Sequence, residues 1–120
     1  MRQITYAAAL REALREEMKR DETVFIMGED VELGYAFTVT QGLIDDFRGR
    51  VFDTPIAETG FTGAGVGAAM TGSRPVVEIQ FADFLTVAMD PLVNQAAKMR
   101  YMTGGQARVP LTVRTPMGCS

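Results

Sequence analysis

The apolar residues between positions 5 and 20 recur every three or four positions, which predicts a helix with one apolar face. That face comprises Leu10, Ala13, Leu14 and Met18. The residues predicted to point outward are Arg11, Glu12, Arg15, Glu16 and Lys19. The pattern therefore predicts a surface helix that docks on a sheet.

Short apolar runs after this helix predict strands. The run VFIM at 24 to 27 is apolar throughout, which is typical of a strand buried on both faces. Gly28, Glu29 and Asp30 follow it directly, so acidic residues lie at the carboxyl end of a buried strand, the edge where parallel sheets bind ligands. Further strands are predicted at VFDTP (51 to 55), RPVVEIQF (74 to 81) and 109 to 114.

Helices are predicted between these strands. They are a short helix over 41 to 49 that buries Leu43, Ile44 and Phe47, a helix of small residues over 60 to 72, and a helical stretch over 83 to 102 that Pro91 interrupts. The segment 32 to 40 has turn and aromatic character. Strands that alternate with helices predict an α/β fold, with a mostly parallel sheet and helices on both faces.

The length and composition describe one domain or part of one. The 120 residues are 47% apolar and 22% charged, the balance of a soluble globular protein. No apolar run approaches the ~20 residues of a membrane span. The amino terminus mixes acidic and basic residues and resembles neither a secretion signal nor a transit peptide, so we expect a cytoplasmic protein, or a processed one, without a membrane partner.

Charge and residue usage exclude several kinds of site. The formal net charge of -3, without a cluster of lysine and arginine, argues against a nucleic-acid partner. The single cysteine, Cys119, excludes an intrachain disulfide. Since the chain has no histidine, it cannot build a histidine-based metal site or catalytic dyad alone.

A segment of glycines and alanines follows one acidic residue, Glu58. It contains neither G-x-G-x-x-G nor G-x-x-x-x-G-K-[ST], so a phosphate loop is disfavoured. Small residues four positions apart, such as Gly63 with Gly67 and Gly65 with Ala69, predict a helix that another backbone approaches closely. The partner is either the sheet beneath or the same kind of helix in another subunit. Spacing alone leaves Glu58 as a helix cap or as a carboxylate placed for chemistry.

Several motifs follow one another along the whole chain. They are GEDV at 28 to 31, RVFDTPIAETGFTGAGVGAA at 50 to 69, RPVVEIQFADF at 74 to 84, and NQAAKMRYMTGGQ at 94 to 106 with VP at 109 and 110. In order and spacing they resemble the β subunit of the E1 component of 2-oxo acid dehydrogenase complexes, the pyruvate, branched-chain 2-oxo acid and acetoin dehydrogenase group. The resemblance implies the thiamin-diphosphate-binding α/β fold of transketolase-like enzymes. Residues 1–120 would form the amino-terminal part of the pyrimidine-binding domain, without the family's carboxy-terminal domain.

The resemblance assigns roles to five residues. Glu58 matches the glutamate that hydrogen-bonds N1′ of the cofactor's aminopyrimidine and exchanges a proton there, a role that glutamine could not perform. Phe84 matches the aromatic ring that packs against the aminopyrimidine, with a plain core aromatic as the alternative. Gln80 lies on the same strand-end segment and is expected within reach of the aminopyrimidine as a cofactor-binding residue. Glu29 aligns with an acidic residue near the cofactor, with a solvated loop acid as the alternative. Leu111 aligns with a position whose backbone carbonyl binds K⁺ in some relatives.

The resemblance also implies cofactors and partners. This chain has no GDG segment for Mg²⁺ and diphosphate, so the E1 α subunit is expected to supply that site, with thiamin diphosphate between α and β in an α₂β₂ heterotetramer. The implied reaction is decarboxylation of a 2-oxo acid such as pyruvate, followed by acylation of the lipoyl group of the E2 transacylase. An acetoin-cleaving enzyme, a transketolase-like enzyme and a non-catalytic α/β binding module are the alternatives.

Two features limit this expectation. The segment ELGYAF at 32 to 37 departs from the glycine-richer loop of relatives. The cofactor contacts that relatives make through this loop are therefore not carried over to residues 32 to 37. Family β subunits are also much longer, and their active-site histidine would follow residue 120. We therefore expect this chain alone to bind cofactor poorly and to be inactive.

Overall fold

Helices and strands alternate along the chain in the predicted order. The computed structural model describes residues 2–34 and 37–118. The elements are α1 (Tyr6–Arg20), β1 (Val24–Gly28), α2 (Leu43–Asp46), β2 (Val51–Asp53), α3 (Glu58–Met70), β3 (Arg74–Glu78), a 3-10 helix (Ala82–Thr86), a π-helical segment (Asp90–Ala96), α4 (Ala97–Met102) and β4 (Thr112–Arg114).

The four strands form one sheet in the order β2-β1-β3-β4. In the centre, Ile26 of β1 pairs with Val51 of β2 and with Val76 of β3. Val76 in turn pairs with Thr112 of β4. Each of these pairings is parallel, which confirms the prediction of a mostly parallel sheet.

Helices cover both faces of the sheet. Successive strand residues point to opposite faces, so each face presents apolar side chains that a helix can bury. On one face Ile26 packs with Met18 of α1 and Leu43 of α2. On the other face Val77 packs with Phe61 of α3, and Met27 of β1 lies against the same cluster. The predicted helices on both faces are thus confirmed, and burial on both sides explains why β1 is apolar throughout.

Two arginines that were predicted to point outward from α1 make tertiary contacts. Arg11 donates hydrogen bonds to the backbone carbonyls of Thr38, through Nη2, and of Val39, through Nε at 3.3 Å. Nε of Arg15 lies 2.7 Å from Oδ2 of Asp46, at the end of α2. The arginines of α1 therefore attach the segment between β1 and β2 to the body of the fold.

Four predicted elements are shorter in the structure. β2, predicted to reach residue 55, ends at Asp53, and β3, predicted to reach residue 81, ends at Glu78. The helix predicted over 41 to 49 comprises only Leu43–Asp46, since the backbone leaves helical angles at Phe47. The last strand begins at Thr112 instead of 109 because Pro110 has no N–H to donate to a neighbouring strand. The 109-to-111 backbone instead turns, and Leu111 N donates to Val109 O at 2.8 Å.

The helical stretch predicted over 83 to 102 consists of three segments of different pitch. Val87 and Ala88, which come before Pro91, form a turn between the 3-10 helix and the rest, and Val87 keeps helical backbone angles. Pro91 itself is tolerated near the start of the π-helical segment, where a missing N–H costs no helical hydrogen bond.

Candidate functional site

The carboxyl ends of β1 and β3 lie side by side in the middle of the sheet. The chain leaves β1 towards β2 on one side and leaves β3 towards β4 on the other. Connections that diverge from neighbouring parallel strands leave a crevice at this edge, where open α/β sheets bind their ligands. Gly28, the last residue of β1, pairs with Glu78, the last of β3, so Glu29 and Gln80 follow at the crevice.

The two strands approach so closely at this point that β1 must end in glycine. A Cβ atom at Gly28 would lie 2.4 Å from the backbone oxygen of Glu78. Glu78 is itself buried and pairs with Arg114 at the end of β4, with 2.6 Å between Oε1 and Nη2. Its charge is therefore compensated within the sheet, and the free carboxylates of the crevice come from other residues.

Gln80 joins the ends of the two strands. Its side chain is buried, and its Nε2 donates a hydrogen bond to the backbone carbonyl of Glu29. Oε1 of Gln80 and Oε1 of Glu29 are both buried, and neither has a hydrogen-bond partner in the described residues. A buried acceptor without a donor is costly, so this pair is suited to a ligand that carries N–H groups.

Glu58 enters the crevice from the first residue of α3 and is 8% exposed. The N-cap residue of α3 is Ala57, which makes no side-chain cap hydrogen bond. Glu58 is the first helical residue and therefore does not occupy the capping position itself. Its place in the first turn still suits a negative charge, but its burial points to a further role.

The carboxylates of Glu29 and Glu58 are close enough for their charges to interact. Burial raises the pKa of Glu29, and the negative charges of Glu58 and Asp30 raise it further. Glu29 is half-buried and is not the freely solvated loop acid of the alternative interpretation. The structure thus brings Glu29, Glu58 and Gln80 together, and their roles towards a cofactor stay predictions.

Phe84 lies on the 3-10 helix that follows Gln80. It is 43% exposed and belongs to neither hydrophobic cluster of the described residues. Its ring meets Phe81 edge to face, with 5.9 Å between the ring centres. Phe81 meets Phe37 in the same way at 5.7 Å. An exposed aromatic surface therefore follows Gln80 along the chain.

Neither Phe81 nor Phe37 was predicted as a site residue from the sequence. For Phe81, the available signal was a second phenylalanine directly after Gln80. Phe37 comes from the segment between β1 and β2, and no spacing in the sequence relates it to Phe81. Its position became apparent only from the folded chain.

Leu111 does not join this group. It precedes β4 and therefore lies at the amino end of the sheet, opposite the crevice. Its side chain packs against the cluster that contains Phe61 and Val77. The K⁺ site at Leu111 stays a prediction. Within residues 2–34 and 37–118, no group of three or more His, Cys, Asp or Glu side chains is arranged to hold a metal ion.

The small residues of α3 have two different environments. A Cβ atom at Gly65 would lie 2.7 Å from Cγ2 of Val77 and 3.3 Å from Cδ1 of Leu111, so the close partner on this side is the sheet. At Gly63 and Gly67, the described residues place nothing within 4 Å of a Cβ atom. One face of α3 is therefore packed, and the other is open.

The crevice as a whole suits a flat heteroaromatic ligand with a ring nitrogen and an amino group. Glu58 offers a carboxyl that can hold or accept a proton. The unpartnered oxygens of Gln80 and Glu29 accept hydrogen bonds, and the exposed ring of Phe84 offers an apolar surface for stacking. An aminopyrimidine has each of these complementary features.

Comparison with known proteins identifies the family of the chain. Residues 2–120 match the family described as "Transketolase, pyrimidine binding domain", and the chain belongs to that family. This family match confirms the predicted fold. The family includes thiamin-dependent enzymes.

Among curated relatives, the chain is 53% identical over 120 residues to the pyruvate dehydrogenase E1 component subunit beta of Rickettsia bellii. It is 51% identical over 122 residues to the protein of that name from Rhizobium meliloti. It is 45% identical over 131 residues to the acetoin:2,6-dichlorophenolindophenol oxidoreductase subunit beta of Bacillus subtilis. The resemblance to E1 β subunits is thereby confirmed.

These alignments cover 98%, 100% and 98% of this chain but only 37%, 26% and 38% of the respective relatives. The chain thus spans about a third of the length of the curated relatives it matches. Across the described residues, we find no helix whose length and apolar character would allow it to cross a membrane.

Proposed function

We propose that this chain forms part of the β subunit of a thiamin-diphosphate-dependent 2-oxo acid dehydrogenase. The E1 enzyme would decarboxylate a 2-oxo acid such as pyruvate and acylate the lipoyl group of E2. The observation that carries the proposal is the buried Glu58 at the crevice, together with Glu29, Gln80 and the exposed ring of Phe84. The identity to two pyruvate dehydrogenase subunits supports pyruvate as the substrate.

Thiamin diphosphate, when bound, supplies a thiazolium group that stabilises negative charge at the substrate's carbonyl carbon. Glu58 would hold a proton at the ring nitrogen N1′ of the aminopyrimidine, and a glutamine could not exchange that proton. Oε1 of Gln80 and Oε1 of Glu29 would accept hydrogen bonds from ligand N–H groups, since no protein donor is available to them in the described residues. Phe84 would cover one face of the ring and exclude water from the buried carboxyl.

The proposed assembly includes an E1 α subunit, as in an α₂β₂ heterotetramer, with Mg²⁺ held mainly by α. The open face of α3 at Gly63 and Gly67 supports a closely packed partner, because backbones approach closely only where side chains are small. We also propose that the E2 transacylase is a further partner, that a K⁺ ion binds near Leu111 and that the protein is cytoplasmic.

Acetoin cleavage is the second candidate function. It is favoured by the 45% identity to the acetoin oxidoreductase subunit, which covers 98% of this chain. The residues of the crevice do not distinguish acetoin from a 2-oxo acid, because they contact the cofactor rather than the substrate in either proposal.

The test uses the full-length β subunit co-expressed with its α-type partner. Thiamin-dependent decarboxylation of pyruvate is measured for wild type and Glu58→Gln, with acetoin as a second substrate. We expect Glu58→Gln to lower kcat by roughly 10²- to 10⁴-fold, since proton transfer by a placed group contributes about that much. Glu16→Gln, on the exposed side of α1, is the matched control and should keep wild-type activity. A Glu58→Gln complex with undiminished activity would contradict the assigned role.

A further inference from the structure

The ring of Phe84 is not held in place by the hydrophobic core. Phe84 lies on a 3-10 helix of five residues, none of which is buried. Backbone hydrogen bonds fix the helix itself, because Phe84 N donates to Phe81 O at 3.0 Å and Val87 N donates to Phe84 O at 3.0 Å. The direction of the exposed ring therefore depends on the side chains around it.

Phe81 is the aromatic neighbour of that ring. The two rings meet at 86°, the edge-to-face arrangement that aromatic pairs prefer. Phe81 is 48% exposed, so it also needs support from outside the core. Phe37 supplies it, because its ring meets Phe81 at 77° and lies on a different segment of the chain.

The segment that carries Phe37 is tied to α1. Arg11 donates to the carbonyl oxygens of Thr38 and Val39, the two residues that follow Phe37. Thr38 has a positive φ of 57°, a conformation that a β-branched residue adopts only when surrounding contacts impose it. A continuous set of contacts thus connects α1 to the ring of Phe84.

We propose that Phe81 and Phe37 are positioning residues that orient Phe84 against the aminopyrimidine of the cofactor. This inference rests on the proposed thiamin-dependent function. Neither Phe81 nor Phe37 needs to touch the cofactor to act in this way. Phe37 fixes the ring of Phe81, and Phe81 fixes the ring of Phe84, so that the stacking surface exists before the cofactor binds. Such preorganisation lowers the entropy lost on binding and therefore increases affinity.

The test measures cofactor binding by the full-length β subunit in complex with its α subunit. Phe81→Leu and Phe37→Leu remove the edge-to-face contacts but keep an apolar side chain. We expect each to raise the Kd for thiamin diphosphate in isothermal titration calorimetry by roughly three- to tenfold. Near-ultraviolet circular dichroism of the bound cofactor should change as well, since it reports the ring's surroundings. The Tm of the cofactor-free complex should stay at the wild-type value.

A matched control comes from elsewhere in the fold. Phe52 of β2 is 42% exposed and meets Phe25 edge to face at 5.8 Å, but it is not part of the aromatic group beside the crevice. Phe52→Leu should leave the Kd unchanged, and Phe37→Tyr, which retains the ring, should bind as wild type does.

The outcomes separate the two proposals. A wild-type complex that binds no thiamin diphosphate would contradict the proposed function and, with it, this inference. If wild type binds and both leucine variants bind equally well, or if Phe52→Leu weakens binding to the same extent, only the positioning role is overturned. The positioning role would also be overturned if both leucine variants had a lowered Tm and Phe37→Tyr did not recover the wild-type affinity.

Discussion

At the scale of single residues, Glu29 makes the clearest prediction about pH. Burial, followed by the charges of Glu58 and Asp30, raises its pKa above the ordinary value of 4.5. Between 4.5 and the raised pKa, the folded chain therefore binds more protons than the unfolded chain. The contribution of Glu29 to the free energy of unfolding therefore falls as the pH rises through this range, because the folded state opposes ionisation of Glu29.

We predict that Glu29→Gln is more stable than wild type at neutral pH and loses this advantage below pH 4.5, where the wild-type carboxyl is protonated in both states. Urea unfolding at a series of pH values measures the difference. Glu16→Gln, on the solvent side of α1, should follow the wild-type curve. If the free energy of unfolding of wild type and Glu29→Gln changed with pH in parallel, the folded state would not oppose ionisation of Glu29.

At the scale of elements, α3 presents two chemically similar faces with different packing. Gly65 lies against the sheet, where the side chain of Val77 occupies the space that a Cβ atom would need. Gly67, two residues further on, has no described atom within 4 Å of such a Cβ atom. The same substitution at the two positions therefore separates intrinsic helix propensity from packing.

Alanine at either position gains about 1 kcal/mol of helix propensity over glycine. Only at Gly65 does it also overpack the contact with Val77, at a cost of about 1–3 kcal/mol. We predict that Gly67→Ala stabilises the chain and that Gly65→Ala is less stable than Gly67→Ala by that packing cost. Denaturant unfolding of the two variants gives the difference directly, and equal stabilities would mean that α3 does not pack on the sheet as described.

The type and order of the elements were predictable because each depends on a local pattern. The apolar run of β1 and the helical spacing of α1 both appear in the structure within a residue or two. Boundaries were less predictable where a single residue competes with the pattern. Pro110 shortened the last strand, and the stretch from 83 to 102 changed pitch, which no apolar period encodes.

At the scale of the whole molecule, the crevice depends on strand order. Gln80 Nε2 reaches the carbonyl of Glu29 across 51 residues of sequence because β3 lies next to β1. The apolar pattern predicted both strands but not their adjacency. The resemblance supplied Glu58 and Phe84, whereas Phe37 could not be predicted, since its contact with Phe81 requires the folded position of the loop.

The open face of α3 has its consequence at the same scale. If a partner subunit packs closely there, a large side chain on that face must block assembly without harming the fold. We predict that Gly67→Leu in the full-length β subunit leaves its own Tm near wild type, since the described residues leave that position open. The variant should nevertheless fail to form a heterotetramer with the α-type subunit in size-exclusion chromatography with light scattering.

Two comparisons make the result specific to close packing. Gly67→Ala adds one methyl group and should weaken assembly less than leucine does, because the required separation of the two backbones grows with side-chain size. Glu16→Leu places an equally large apolar residue on the exposed side of α1 and should leave assembly intact. A Gly67→Leu subunit that still forms the heterotetramer would place the partner elsewhere, and the open face of α3 would then have no part in the interface.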